Sequence, residues 1–219
     1  MSSRRFPGKV LAKLQGKTIV EHVVGVCQTQ GLPVYVLTSD DPSDDQLVDF
    51  MKNKGINFYR GNLVDVLHRY RSFTNDHNFD RVVRLNCDSP LIHPKVIERV
   101  ISESKQYPHY ELTTNVFPRT FPRGQSVEVI SAKVLQMLRD SDVEYSDLEH
   151  VTSFIYKNHN FFRIRNVENE IDMSEISLCV DTEDDLFGLE LFLDKMEITI
   201  SKGLPEWQIF SKLIRAWQN

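Results

Sequence analysis

The sequence predicts an α/β fold: a mostly parallel sheet with helices on both faces. Three observations predict it. Val34–Ser39 and Arg81–Asn86 are continuous, β-branched and apolar runs, of the length expected for strands buried on both faces. Between them, apolar residues recur every three or four positions, as Leu47, Phe50 and Met51 and then as Leu63, Val66, Leu67 and Tyr70, the spacing of helical faces. Glycines at Gly31 and Gly55 close two of these helices, so strand and helix alternate as they do in a parallel sheet with helical crossovers.

Taken in order, Val10–Leu14 is short and apolar, and Gln15-Gly16-Lys17 turns the chain. Thr18, with Glu21 three residues on, has the pattern of a capping box for a helix running to about Gln30. After the strand Val34–Ser39, a helix is expected from Ser43 to Lys54, a short strand over Ile56–Tyr59 and a third helix from Leu63 to Asp76. The strand Arg81–Asn86 leads into Cys87-Asp88-Ser89-Pro90, and Pro94 opens a helix carrying Val96, Ile97, Val100 and Ile101. The second half reads as mixed. Strands are expected over Tyr110–Asn115, Val127–Ile130, Phe162–Ile164 and Leu178–Val180, and helices over Ala132–Arg139, Leu148–His159 and Glu183–Met196. A last helix, about 205–218, carries Trp207, Phe210, Leu213, Ile214 and Trp217, a stripe suited to core or dimer packing.

Composition narrows the class of protein. The 219 residues are 41% hydrophobic and 26% charged, with no repeat or linker, so one domain spanning residues 1–219 is expected. No apolar run is long enough to span a membrane, and no apolar segment marks a secretory leader at Met1. Cys27, Cys87 and Cys179 are odd in number and lack paired spacing, which points to reduced thiols in a cytoplasmic setting. The net charge of −5 argues against a nucleic-acid partner.

The residues that could carry chemistry sit at the start of the chain and after two strands. Met1-Ser2-Ser3-Arg4-Arg5-Phe6-Pro7-Gly8-Lys9 combines cations, hydroxyls and a Pro-Gly turn, a composition suited to polyanion capture. Asp88 and Asp181 each follow an apolar strand directly. Such a carboxylate is partly desolvated and needs a cation, donors or a helix N-terminus. Two readings stand side by side: helix and turn caps, or a pair of Mg²⁺ ligands completed by water and substrate phosphates. Ser39, Arg60 and Asp88 are expected at one rim, the carboxyl ends of the strands where α/β sheets bind ligands. Nucleophile elbows, P-loops and histidine metal spacings are absent from the sequence.

Ser3-x-Arg5-x-Pro7-Gly8-Lys9-Val10-Leu11 resembles the nucleotide-binding signature of the cytidylyltransferase family, which includes SpsF-like spore-coat polysaccharide proteins and synthetases of CMP-sugars. Further matches follow in family order: Gly16-Lys17-x-Ile19-x-Glu21-His22-Val23; Arg60-Gly61-x-x-x-Asp65-Val66-Leu67-x-Arg69-Tyr70; Arg84-Leu85-Asn86-x-Asp88-Ser89-Pro90-Leu91-Ile92; Pro122-x-Gly124-x-x-Val127-Glu128-Val129; Glu149-His150-Val151-Thr152; and Val180-Asp181-Thr182. The resemblance implies a glycosyltransferase-A-like nucleotidyltransferase fold and transfer of CMP from CTP to an acidic or activated sugar, with release of pyrophosphate. Carried over residue by residue, Ser3, Arg5 and Lys9 would hold the triphosphate, with Ser39 also on the nucleotide side. Lys9, Asp88 and Asp181 would be catalytic, and Asp88 and Asp181 would hold Mg²⁺. Arg84, Asn115, Glu128 and Glu149 would line the sugar side. Its implied partners are CTP, a sugar and a second copy in a homodimer. The alternatives are a non-catalytic nucleotide-binding or scaffolding relative, or a transferase using another nucleotide. The chain departs from the family pattern at Cys87, Gln125 and Ser126, and the family's first, central strand would precede Met1.

Overall fold

The computed structural model describes residues 5–138 and 144–218. A 3₁₀ turn at Lys9–Leu11 leads into the hairpin β1 (Lys13–Leu14) and β2 (Lys17–Thr18), whose turn places Gln15 and Gly16 at positive φ. Helix α1 (Ile19–Gln28) starts at the expected capping box. The Thr18 hydroxyl accepts from the Glu21 amide, and Glu21 accepts from the Thr18 amide at 2.8 Å. Then come β3 (Val36–Ser39), α2 (Asp45–Lys54), β4 (Phe58–Gly61), α3 (Val66–Asp76), β5 (Arg81–Arg84) and α4 (Pro94–Gln106). The second half adds β6 (Leu112–Thr114), β7 (Glu128–Ser131), α5 (Ala132–Met137), α6 (Tyr145–Glu149), α7 (Ser153–Lys157), β8 (Ile164–Asn166), α8 (Glu183–Lys195) and α9 (Trp207–Gln218).

The α/β class holds, but the strand pairing is mixed. β3 and β4 pair in parallel, while β7 runs antiparallel to both β5 and β6, and β8 adds in parallel to β6. Among the described residues no strand pairs with the second edge of β3 or of β5. Helices tie the two sheets together. Leu67 and Phe73 of α3 pack in one cluster with Leu37 and Tyr59 of the first sheet and Val82 of the second.

Three expectations are corrected. Leu178–Val180 forms no ladder, because its amides are divided between two partners: Leu178 donates to Arg123 O, and Val180 to Asp88 O. The helix expected over Leu148–His159 is two short ones, since His150 leaves helical geometry (φ −106°, ψ 81°). α3 begins at Val66 because the Asp65 carboxylate caps it, accepting from the His68 amide at 2.7 Å, and Leu63 stays exposed. The expected end of α5 at Arg139 lies outside the described residues.

The aromatic stripe of α9 belongs to the core of this chain. Phe210 and Ile214 are fully buried beside Phe192 and Leu193 of α8, with Trp207, Leu213 and Trp217 packed around them.

Candidate active site

The basic segment is described from Arg5 onward, and Ser3 lies outside the described residues. Gly8 adopts φ 72°, a left-handed turn that glycine makes without a Cβ penalty, and Leu11 donates back to its carbonyl. Phe6 packs against the core formed by α8 and α9. This turn carries Lys9 inward, leaving its side chain only 14% exposed.

Lys9 Nζ donates to Asp88 Oδ2 at 3.1 Å and to Asp181 Oδ1 at 2.8 Å. Arg5 reaches the other Asp181 oxygen at 2.9 Å. The two carboxylates are brought together by backbone: Val180 donates to Asp88 O at 2.8 Å, which sets the two segments side by side. Asp181 does not cap α8. Thr182 caps α8, and the Asp185 carboxylate takes the amides of Asp181 and Thr182, so the Asp181 carboxylate is released toward Lys9 and Arg5. Hydrogen bonding from Lys9 and the charges of Lys9 and Arg5 hold the Asp181 carboxyl below the usual range, against the opposing effect of burial. Burial draws the Lys9 pKa down, but its bonds to Asp181 and Asp88 outweigh that and raise it.

A second polar cluster is centred on Glu128. The sheet register sets Glu128 opposite Arg84 on β5 and opposite Thr114 on β6, so the three side chains share one face. Arg84 donates to Glu128 Oε2 at 2.5 Å, while Tyr156 and Thr152 donate to Oε1 at 2.5 and 2.8 Å. Thr114 and Tyr156 hydroxyls lie 3.0 Å apart. Burial and the Glu128 charge push the Tyr156 phenol well above its usual pKa. Tyr156 was not singled out from the sequence, and Thr152 only as part of the Glu149–Thr152 match. Their i, i+4 spacing, which puts both on one helical face, is the signal that could have found them.

Asn115 is fully buried and acts as a brace. Its amide donates to Gln125 O at 2.7 Å and accepts from the Val127 amide at 2.9 Å. Gln125 is likewise fully buried, donating to Leu91 O and accepting from the His93 amide. The departure at Gln125 is therefore a structural tie between the loop and the segment after Asp88. Glu149 ends α6 exposed, and among the described residues it joins neither cluster.

At the ends of β3 and β4, Ser39 is buried and its hydroxyl and amide both donate to Asp44, a residue the sequence did not flag. Arg60 donates to Ser39 O and pairs with Asp45. Ser39 and Arg60 thus share a rim as expected, with the Ser39 hydroxyl already committed to Asp44. Burial pushes the thiols of Cys87 up to about 12 and of Cys179 and Cys27 to about 11, which keeps them protonated at neutral pH.

The donor set suits a hard divalent cation. Two carboxylates converge on one small cationic group, the number that Mg²⁺ usually takes from protein. Among the described residues no further group of three acidic, histidine or cysteine ligands competes with this pair. No described helix is long and apolar enough to cross a membrane.

The family model described as cytidylyltransferase matches residues 1–198. The spore coat polysaccharide biosynthesis protein SpsF of Bacillus subtilis is 25% identical over 205 residues, covering 89% of this chain and 83% of that protein. The 3-deoxy-manno-octulosonate cytidylyltransferase of Solibacter usitatus is 25% identical over 232 residues, covering 84% and 88%. A solved cytidylyltransferase from Leptospira borgpetersenii superposes with a TM-score of 0.88 at 28% identity, covering 100% of this chain and 90% of that one. The chain belongs to the cytidylyltransferase family.

Proposed function

We propose that the protein transfers CMP from CTP to an acidic or activated sugar for surface polysaccharide synthesis, releasing pyrophosphate. The observation that carries this reading is the convergence of Asp88 and Asp181 on Lys9, within a basic turn. In the reaction, an acceptor hydroxyl oxygen bonds to the α-phosphorus of CTP. The bond to the oxygen bridging to the β-phosphate breaks, pyrophosphate leaves with that electron pair, and the hydroxyl proton passes to solvent. Such a displacement needs positioning and charge neutralisation rather than a protein nucleophile, in keeping with three protonated thiols.

Arg5 and Lys9 hold the triphosphate in this reading, and Lys9 exchanges a carboxylate for a phosphate oxygen when nucleotide arrives. Asp88 and Asp181 would hold Mg²⁺, which when bound neutralises phosphate charge and favours departure of pyrophosphate. The Glu128 cluster faces the acceptor. The relatives' names support cytidylyl transfer and a polysaccharide setting, and the free thiols support a cytoplasmic location. Assembly as a homodimer is part of the same proposal.

The test is joint stabilisation and turnover. CTP with Mg²⁺ should raise the melting temperature more than either alone, and CTP should give pyrophosphate once an acceptor is supplied. Asp88→Asn should abolish turnover while keeping the wild-type circular dichroism spectrum. Full turnover by Asp88→Asn would remove the carboxylate pair from the mechanism.

A further inference from the structure

We infer that the cleft between α4 and α9 is a second small-molecule site, and that it takes an organic anion carrying an apolar ring. The cleft encloses about 450 Å³, a volume usual for ligand pockets, and it shares no residue with the Lys9 cluster or the Glu128 cluster. The inference therefore stands apart from the cytidylyl-transfer reading.

Helical spacing builds two of the walls. On α4, Lys95 and Arg99 are four residues apart and lie on one face. On α9, Trp207, Ser211 and Arg215 recur every four residues, with Lys212 beside them. The segment from Asn169 to Met173 forms the third wall. The walls are tied to one another in advance. His93, which caps α4, donates through Nε2 to Pro205 O at 2.9 Å, just ahead of α9. The Trp207 indole N–H donates to Asn169 Oδ1 at 3.1 Å. The Asn169 amide donates to the Thr120 hydroxyl at 2.7 Å, and the Met173 amide to Thr120 O at 2.9 Å. A cleft fixed this way has little ordering left to do when a ligand enters.

Two properties set the class of ligand. The floor is apolar. Val96, Phe121 and Met173 are buried there, and the half-buried Trp207 ring offers carbon surface because its N–H is already given to Asn169. The rim is cationic. Lys95, Arg99, Lys212 and Arg215 stand against two carboxylates, Glu170 and Glu206, in a chain whose net charge is −5. Lys95 is held by Glu98 at 2.9 Å, but among the described residues no ion pair holds Arg99 or Lys212. Cations brought by two helices to one cleft repel each other, and low-dielectric walls concentrate their field on whatever enters. A bare inorganic anion would leave the aromatic floor uncovered, and a neutral ring would leave the cations unanswered. A ring bearing a carboxylate or a phosphate meets both.

The experiment follows the Trp207 indole N–H by ¹H–¹⁵N NMR of the full chain, with Trp207→Phe separating its peak from that of Trp217. Four probes are titrated: 2-naphthyl phosphate, 2-naphthoate, the neutral 2-naphthalenemethanol, and inorganic phosphate. At least one ring anion is expected to shift the Trp207 peak to saturation, with a Kd at least about tenfold below those of the alcohol and of inorganic phosphate. Which of the two ring anions binds identifies the charged group. Arg99→Gln combined with Lys212→Gln, both exposed positions, should raise that Kd about tenfold, the value of two exposed ion pairs. A Trp207 peak that neither ring anion moves overturns the inference. So does equal binding of the alcohol, or an unchanged Kd in the double variant. A peak that moves on diluting the protein alone would show that a second copy covers the cleft, and would overturn it as well.

Discussion

At the scale of single residues, the two polar clusters differ in what their removal should do. Glu128 is 3% exposed and meets the half-buried Arg84 guanidinium, whose side chain is 19% exposed. Glu128→Ala would leave Arg84 half-buried without its counter-ion, and a loss of about 2–4 kcal/mol is expected in chemical denaturation. Tyr156→Phe removes one hydrogen bond to a charged acceptor and should cost about 1.5–3 kcal/mol. Near-wild-type stability in both variants would mean that water replaces the network. Lys9 is a different case, because its contacts bring two carboxylates together. Lys9→Met removes the largest cause of the depressed Asp181 pKa and leaves Asp88 beside it. The Asp181 carboxyl should then titrate at higher pH than in wild type, as read by ¹³C NMR of side-chain carboxyls; a shift to lower pH would contradict the geometry. Much at this scale could be read from the chain. Lys9, Asp88 and Asp181 were chosen for sitting in a basic turn and at strand ends. Tyr156 was hidden because its contact with Glu128 spans 28 residues and depends on sheet register.

At the scale of elements, local rules explain both the successes and the misses. The capping box of α1 was legible because Thr18 and Glu21 are three residues apart. Its strength depends on a partner that was not, Lys54 at 2.9 Å from the far end of α2. Burial opposes ionisation of Glu21, but the Lys54 bond and the Thr18 donors bring its pKa from 4.5 down to about 2. A depressed carboxylate pKa stabilises the fold above the unfolded value and ceases to do so as pH falls through the folded one. Wild type should therefore exceed Glu21→Gln by about 1–2 kcal/mol near neutrality, and the gap should close between pH 4.5 and about 2. A gap that persists below that window would assign the effect to packing. The loop at Gly124 makes the opposite point. Leu178–Val180 looks like a strand by composition, yet it is shared between Arg123 and Asp88, a division no periodicity reports. Gly124 holds φ 89°, and a Cβ there would come within 2.9 Å of the Leu178 backbone. Gly124→Ala should push this segment away and displace Asp181. The expected result is loss of metal-dependent CTP stabilisation, beyond the roughly 1–3 kcal/mol of backbone strain.

At the scale of the whole molecule, the unequal pairing of strands sets where the fold opens first. β6 and β7 have a partner on each side, whereas β3 pairs only with β4, and β5 only with β7, among the described residues. What joins the two sheets is therefore side-chain packing through α3 and α1. Leu67 and Phe73 bridge Leu37 to Val82, while Val20 and Val24 of α1 cover Val36 and Val26 of the same helix packs with Val83 and Val129. Apolar packing is non-directional, and it lets one sheet loosen while the other keeps its ladder. Native-state hydrogen exchange should show this directly. The ladder amides of Leu112–Thr114 and Glu128–Ser131 should exchange only with global unfolding, and those of Val36–Ser39 through a lower-energy opening that includes β4. The two halves of the proposed site would then differ in rigidity. Arg84 and Glu128 belong to the stable sheet, while Ser39 and Arg60 stand on the one that opens. Nucleotide binding at the rim should slow exchange in β3 and β4 more than in β7, because a ligand protects most where opening was easiest. Equal protection of β3 and β7 in the free protein would show that the second edge of β3 is paired in solution, and would remove this difference between the halves.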